Sequence, residues 1–229
     1  MASTLSLRTT TDVAPLRRVH APAAYEYRIA PAPLGGAKKR VFDIIVATAA
    51  LIVLAPVLLL IAALVRLDSP GPAVYRQERT GFRGRAFTIF KFRTMRTMES
   101  AQKVEQARPG DKRVTRIGRL LRRTSLDELP QLLNVVLGDM SLVGPRPHAI
   151  RHDRHFLLAD ELYPRRFLAR PGITGAAQTS GARGVTATAE QIEKRLRLDL
   201  DYIENWSLLR DIAILICTVR VVFGDKDAC

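Results

Sequence analysis

IIVATAALIVLAPVLLLIAALV, residues 44–65, is the stretch on which the reading of this chain turns. As a straight helix rising about 1.5 Å per residue it would just cross a bilayer core about 30 Å thick. Thr48 is its one polar residue. A helix packed on a soluble core normally keeps a polar face, so a buried core helix fits this run poorly. Pro56 sits near the middle. It has no N–H to offer the carbonyl of Ile52, and its ring crowds that carbonyl, so a kink or a break is expected there. Lys38, Lys39 and Arg40 precede the run and Arg66 follows it. Because positive charge favours the cytoplasmic side of a membrane, a helix that enters one leaflet, bends and returns is expected ahead of one that spans. The run starts late and exceeds the 7–15 residues or so of a signal-peptide apolar region, which makes it a retained anchor.

Working outward, residues 1–37 are rich in Ala, Pro, Thr and Arg without apolar periodicity, and read as disordered. Residues 38–68 form the re-entrant membrane helix, and residues 69–229 form a domain on the cytosolic face. A net charge of +14 over 229 residues calls for an anionic partner: nucleic acid, anionic lipid or a phosphorylated substrate. Nucleic acid is disfavoured, since basic segments are not interleaved with aromatics and no binding module is recognisable. Cys217 and Cys229 have no metal-ligand spacing, no disulfide framework is expected, and a reducing compartment is the default.

The expected fold is mainly α with a small β-hairpin. Ser69-Pro70-Gly71-Pro72 stops the first helix, and residues 73–77 and 86–92 alternate as strands joined through Gly81 and Gly84. A helix is expected over residues 95–107. Residues 116–123 interleave Ile117, Leu120 and Leu121 with Arg116, Arg119, Arg122 and Arg123. That pattern suits an interfacial amphipathic helix or a basic face over a protein core. Residues 129–137 continue as helix until Gly138. Gly144-Pro145-Arg146-Pro147 must be extended, because proline biases its predecessor away from helix. Arg170-Pro171-Gly172-Ile173-Thr174-Gly175 reads as a rigid turn, and residues 189–205 as a charged helix. Residues 206–223 are apolar but interrupted by Arg210, Asp211 and Arg220, so they pack in the core or lie along an interface with Trp206 at headgroup level.

Ser125-Leu126-Asp127-Glu128 has the spacing of a helix capping box, with Glu128 reaching back to Ser125 and Asp127 favouring the positive end of the helix. The competing reading is chemical. Two adjacent carboxylates follow Arg122-Arg123, and neighbouring cations would keep them ionised as a nucleophile or metal ligand requires. Alternation along the second strand puts Lys91 and Arg93 on one face, suited to a phosphate or lipid headgroup. His148, His152 and His155 share rough helical spacing, but no carboxylate completes a familiar metal pattern.

The chain resembles the bacterial sugar transferases that are monotopic phosphoglycosyl transferases. The likeness runs from about Lys39 to Phe223. Lys39-Arg40-Val41-Phe42-Asp43, the proline-bearing apolar helix, Gly71-Pro72 and Gln77-Glu78-Arg79-Thr80-Gly81 come first. Lys91-Phe92-Arg93-Thr94-Met95, Ser125-Leu126-Asp127-Glu128-Leu129-Pro130-Gln131 and the stretch from Asp139 to Pro147 follow, then Arg170-Pro171-Gly172-Ile173-Thr174-Gly175 and Asn205-Trp206-Ser207-Leu208. The short form of the family is implied.

What the resemblance implies is a reaction. A sugar 1-phosphate, a hexose from UDP-glucose or UDP-galactose, passes from a UDP-sugar to undecaprenyl phosphate and UMP leaves, opening exopolysaccharide or glycoconjugate assembly. Asp127 would attack the β-phosphorus to give a phosphosugar-enzyme intermediate. Glu128 would hold Mg²⁺, with Asp127 as a further ligand, or assist the lipid nucleophile. Arg122, Arg146 and Arg170 would bind phosphate or uridine, with Lys91 and Arg93 on the phosphates. Pro56 would shape the anchor, and membrane lipids and a second copy of the chain are compatible partners at the cytoplasmic face of the bacterial inner membrane. Two departures, Ala176-Ala177 after Gly175 and the stretch from Ser180 to Gly184, make donor assignment by analogy unsafe. The alternative from another class is a basic, membrane-anchored adaptor without catalysis.

Overall fold

The apolar run belongs to a single helix, α1 (Gly36–Asp68), that passes Pro56 without ending. The structure, a computed structural model, describes residues 33–96, 111–182 and 189–222. Of the kink or break expected at Pro56, the break is therefore not realised. A proline removes one hydrogen bond, and the turns on both sides of it carry enough bonds and packing to keep the helix continuous. The helix also starts at Gly36, inside the segment read as disordered from sequence; residues 1–32 lie outside the described residues.

Packing gives α1 two faces. Lys39, Asp43, Ala47, Ile61 and Val65 are buried on one side. Ala50, Leu51 and Leu54 join one core cluster and Leu58 and Ala62 another, completing a stripe at three- and four-residue steps. On the other side Ile52, Val53 and Leu59 are each more than 70% exposed. Both ends of the helix are thus held by the rest of the protein, and an apolar face remains outside along its middle. Among the described residues α1 is the one helix long and apolar enough to cross a membrane.

Two of the four flanking cations, Lys39 and Arg40, prove to be protein contacts, while Lys38 and Arg66 are exposed. Lys39 Nζ lies 2.6 Å from Asp211 Oδ2, and Tyr202 Oη and Trp206 Nε1 also donate to that carboxylate, at 2.6 and 3.1 Å. Asp43 accepts from Ser141 Oγ at 2.7 Å and from the Leu142 amide at 3.1 Å. Arg40 donates to the carbonyls of Val135 and Val136 at 2.6 and 2.9 Å. Half of the cations that sequence assigns to the membrane surface are thus spent on folding, and Lys38 and Arg66 remain outside.

The hairpin forms as expected: β1 (Val74–Thr80) pairs antiparallel with β2 (Ala86–Phe92), Tyr75 opposite Lys91. A second, parallel pair joins β3 (Ser141–Val143) to β4 (Gly172–Thr174), the latter inside the stretch read as a rigid turn, while Gly144–Pro147 stays free of helix and strand as expected. Glycine makes that pairing possible. A Cβ on Gly172 would sit 2.1 Å from the Gly144 nitrogen, and one on Gly144 would sit 2.4 Å from the Arg170 carbonyl oxygen.

The remaining helices are α2 (Arg116–Thr124), α3 (Gln131–Leu137), α4 (Ile150–Ala159), α5 (Ala176–Thr179), α6 (Ala189–Glu204) and α7 (Leu208–Val222). In α2 Leu121 is buried while Leu120 and the arginines face out, so it has both a core side and an exposed side. Helix α7 does likewise: Asp211 and Ile214 are buried, whereas Leu209, Ile216 and Val219 are exposed. Met95 forms a β-bridge with Val114 rather than opening a helix, and the rest of the helix expected over 95–107 lies outside the described residues, as do Arg183 and Gly184. One further expectation fails: Cys217 is disulfide-bonded, while Cys229 lies outside the described residues.

Candidate active site

Asp127 and Glu128 share a short 3-10 turn, Leu126–Glu128, between α2 and α3. Ser125 before it adopts the left-handed conformation with φ 58°, and its side chain makes no cap. The capping box read from sequence does not form. Leucine 126 goes into the core with Leu121 and Phe92, and the turn pushes the two acids the other way. Pro130 takes the N-cap position of α3, where its missing N–H costs little.

Glu128 is clamped. Arg146 reaches it with both arms, Nη2 to Oε1 at 2.5 Å and Nη1 to Oε2 at 3.1 Å, and Lys91 Nζ adds a bond to Oε1 at 2.8 Å. Its side chain is 14% exposed. Burial alone would raise its pKa, but Arg146 and Lys91 outweigh burial and hold it well below the usual carboxylate range. Asp127 behaves oppositely. Burial and the neighbouring Glu128 charge raise its pKa, against the pull of Lys91, Arg122 and Arg146. Two acids adjacent in sequence therefore differ: one is a fixed counter-ion, and the other is less stabilised as an anion and makes no comparable clamp.

Arg79 on β1 is a member that sequence reasoning missed. Its Nη2 donates to Gln77 Oε1 at 2.5 Å, its buried Nε has no partner, and burial with nearby Arg146 lowers its pKa to about 10. Beneath the site lies a polar network. Arg166 Nη2 donates to the Arg146 carbonyl at 2.9 Å, its Nε to Asp199 at 2.9 Å and its Nη1 to Tyr163 Oη at 2.8 Å. Tyr163 Oη donates to Asp153 at 2.6 Å and contacts His148 Nδ1 at 2.7 Å. Burial and Arg166 drag His148 down to about 3, so it is neutral at cellular pH. His148, His152 and His155 all pack around the Phe156 ring, and among the described residues they form no group that could hold a metal ion. A small cleft opens beside this network, lined by Thr80, Gly81, Arg146, His148 and Pro171 among others.

Of the residues singled out from sequence, the structure brings together Asp127, Glu128, Lys91 and Arg146. Arg122 is exposed and close enough to act on the Asp127 charge. Two do not join them. Arg93 is buried and donates to the carbonyls of Val65, Ser69 and Pro70 at the end of α1, because β2 runs under that helix end. Arg170 donates from Nε to the Gly138 carbonyl at 2.9 Å and lies over the Phe82 ring, at the opposite end of α3 from the acids.

As a metal ligand Glu128 does not fit, since Lys91 and Arg146 occupy both its oxygens. Among the described residues no cluster of three or more His, Cys, Asp or Glu side chains could hold an ion. Asp127 is the carboxylate left, which suits an ion such as Mg²⁺ that arrives on substrate phosphates and takes one protein carboxylate.

The model of the family described as bacterial sugar transferase matches residues 35–225, which include α1, the acid pair and every contact above. The chain belongs to the bacterial sugar transferase family. Among this transferase's relatives is the UDP-glucose:undecaprenyl-phosphate glucose-1-phosphate transferase of Caulobacter vibrioides, 52% identical over 191 residues, covering 83% of this chain and 72% of the relative. A protein of the same name from Escherichia coli is 49% identical over 199 residues, 86% of this chain and 43% of its own length. The exopolysaccharide production protein PSS of Rhizobium leguminosarum is 48% identical over 185 residues, 79% of this chain and 92% of the relative. The transferase therefore spans under half of the Escherichia coli relative it matches.

Proposed function

We propose that this transferase moves a sugar 1-phosphate, glucose 1-phosphate as the first candidate, from a UDP-sugar to undecaprenyl phosphate and so starts exopolysaccharide or glycoconjugate assembly. The observation that carries the reading is the imbalance of charge around the acid pair. Arg79, Lys91, Arg122 and Arg146 act on the two carboxylates Asp127 and Glu128, so positive charge is left over even with both acids ionised. A diphosphate completes that balance, and a transferring phosphoryl group needs it. An adaptor that bound anionic surfaces would need cations outside; it would not need a carboxylate pair set among buried ones.

In the donor half-reaction a carboxylate oxygen of Asp127 attacks the β-phosphorus of the UDP-sugar. The bond from that phosphorus to the bridging oxygen breaks, and UMP leaves with the electron pair. In the acceptor half-reaction a phosphate oxygen of undecaprenyl phosphate attacks the same phosphorus, and the Asp127 carboxylate is released. Glu128 positions Arg146 and Lys91 against the phosphates. Mg²⁺ bound on the diphosphate with Asp127 would supply further charge neutralisation.

The membrane placement follows the same logic. A soluble nucleotide and a long-chain lipid phosphate can meet only at a bilayer surface. That one domain holds both ends of α1 supports a helix whose ends lie on the same, cytoplasmic, side, with its exposed apolar face in one leaflet.

The test incubates the purified chain in lipid nanodiscs with UDP-glucose and Mg²⁺ but no acceptor. One equivalent of UMP and a phosphohexose on Asp127, seen by mass spectrometry, is the expected result. An adduct on Glu128 would reverse the two roles, and no UMP from any UDP-sugar, even with undecaprenyl phosphate added, would end the proposal.

A further inference from the structure

The contacts at the C-terminal end of α1 form a joint between the apolar helix and both arms of the acid site. Arg93, 4% exposed, donates to the carbonyls of Val65, Ser69 and Pro70, the groups a helix end leaves without intrahelical partners. It stands two residues after Lys91 on β2, and Lys91 holds Glu128 at 2.8 Å. One residue beyond, the Thr94 carbonyl accepts from the Thr115 amide at 3.0 Å.

The second arm runs through Asp68, the last residue of α1. Its Oδ2 accepts from the Ile117 amide at 3.0 Å, and its carboxylate is hydrogen-bonded by the Thr115 side chain. Those groups are the start of α2, which leads through Leu121 and Leu126 to Asp127. Ile61, Val65, Phe92 and Leu121 close an apolar cluster between the two arms, with Leu126 packed on it.

The joint has no slack. A Cβ on Gly71 would lie 2.4 Å from Arg93 Nη1, and one on Gly118 would lie 2.2 Å from the Thr94 carbonyl oxygen. Both glycines let backbone and side chain approach more closely than any other residue would permit. Helix α1, β2 and α2 are therefore closely packed against one another here.

We infer that Arg93 and Asp68 are positioning residues that fix the acid pair relative to the apolar helix, so that the seating of α1 in lipid sets how Asp127 meets the acceptor. The inference rests on the transferase reading above and deepens it. A soluble donor reaches the site from water at any height of the site above the membrane. A lipid phosphate is confined to headgroup depth, so a small tilt between anchor and acid pair separates it from Asp127 while leaving the donor half-reaction intact.

Arg93→Lys, which keeps charge but loses the fork that reaches several carbonyls, and Asp68→Ala, at a half-buried position, test this in nanodiscs against the parent chain. The donor burst of UMP without acceptor should keep its amplitude and its KM for UDP-glucose. The acceptor half-reaction should slow by about tenfold to a hundredfold, the range a displacement near 1 Å produces. Equal loss in both half-reactions would make the two residues plain structural supports and overturn the inference, as would acceptor rates equal to the parent's. If the parent chain itself releases no UMP, the transferase reading has failed, and that outcome is separate from either of these. Asp68→Ala keeps the test open should Arg93→Lys not fold.

Discussion

Arg146 holds Glu128 with both arms of its guanidinium, at 2.5 and 3.1 Å, while Arg166 holds the Arg146 backbone carbonyl from behind at 2.9 Å. A side chain so fixed at both ends presents its remaining surface in one direction. Replacing Glu128 with Gln leaves Arg146 and Lys91 close together without their counter-ion. The expected cost is about 2 kcal/mol of stability, below the figure for a fully buried pair because Arg146 remains 34% exposed. Thermal unfolding in detergent reads it. The sign with pH is fixed: the folded pKa of Glu128 is depressed, so its contribution is present above about 4.3, the ordinary glutamate value, and fades as pH falls further.

Asp127 should titrate in the opposite sense. Its pKa is raised, chiefly by burial, and only the carboxylate attacks phosphorus. The rate of the UMP burst, followed from about pH 8 down to about pH 4, should fall at a pH above that of an ordinary aspartate. Asp127→Asn should show no burst at any pH. A profile flat down to the usual aspartate range would show that Asp127 is not the group being titrated.

The pair Lys39–Asp211 is buried on both sides, with side chains 6% and 0% exposed. Lys39→Met strands the carboxylate and should cost about 3–5 kcal/mol. Lys39→Met with Asp211→Leu removes both charges and should recover part of that loss, whereas simple additivity of the two changes would show that they are not coupled. Chemical denaturation of the three variants gives the cycle.

Gly172→Ala places a methyl against the backbone of Gly144, and the strands β3 and β4 must separate to admit it. A loss of about 3 kcal/mol or more is expected. The loop carrying Arg146 follows β3 directly, so the UMP burst should fall along with the melting temperature.

For topology, single cysteines placed at Val41 and Leu67, both exposed near the ends of α1, should resist a membrane-impermeant reagent applied outside intact cells and react in inverted vesicles. Labelling of either from outside would defeat the re-entrant reading of α1.

Much of this was written in the sequence where a local rule could speak. The apolar run, the hairpin around Gly81 and Gly84 and the stop at Gly138 follow from periodicity and turn chemistry, whereas the pairing of Lys91 with Glu128 was not among the contacts the sequence announced. The rest depends on partners far away in the chain. Arg93 alternates onto the same face as Lys91, yet its guanidinium goes to the end of α1, a contact set by how β2 crosses that helix. Arg170 looks like a phosphate ligand beside Pro171-Gly172, but serves the carbonyl end of α3. Strands β3 and β4, three residues each, are too short for alternation to show. Arg79 and Arg166 matter through distant neighbours, and no spacing announces them. Pro56 marks a weak point in α1 at which the hydrogen bonds on either side keep the helix from ending.

The apolar helix is also one wall of the protein interior. Ala47, Ile61 and Val65 lie against Ile89, Leu132, Phe92 and Leu121, and Asp43 and Lys39 take up polar groups of Ser141 and Asp211. Trimming the chain after Asp68 to obtain a water-soluble catalyst would strip that wall away, leaving Asp211 uncompensated and two greasy surfaces open to solvent. Detergent or nanodiscs are consequently a condition of working with this molecule rather than a convenience, and a fragment beginning at Ser69 should aggregate.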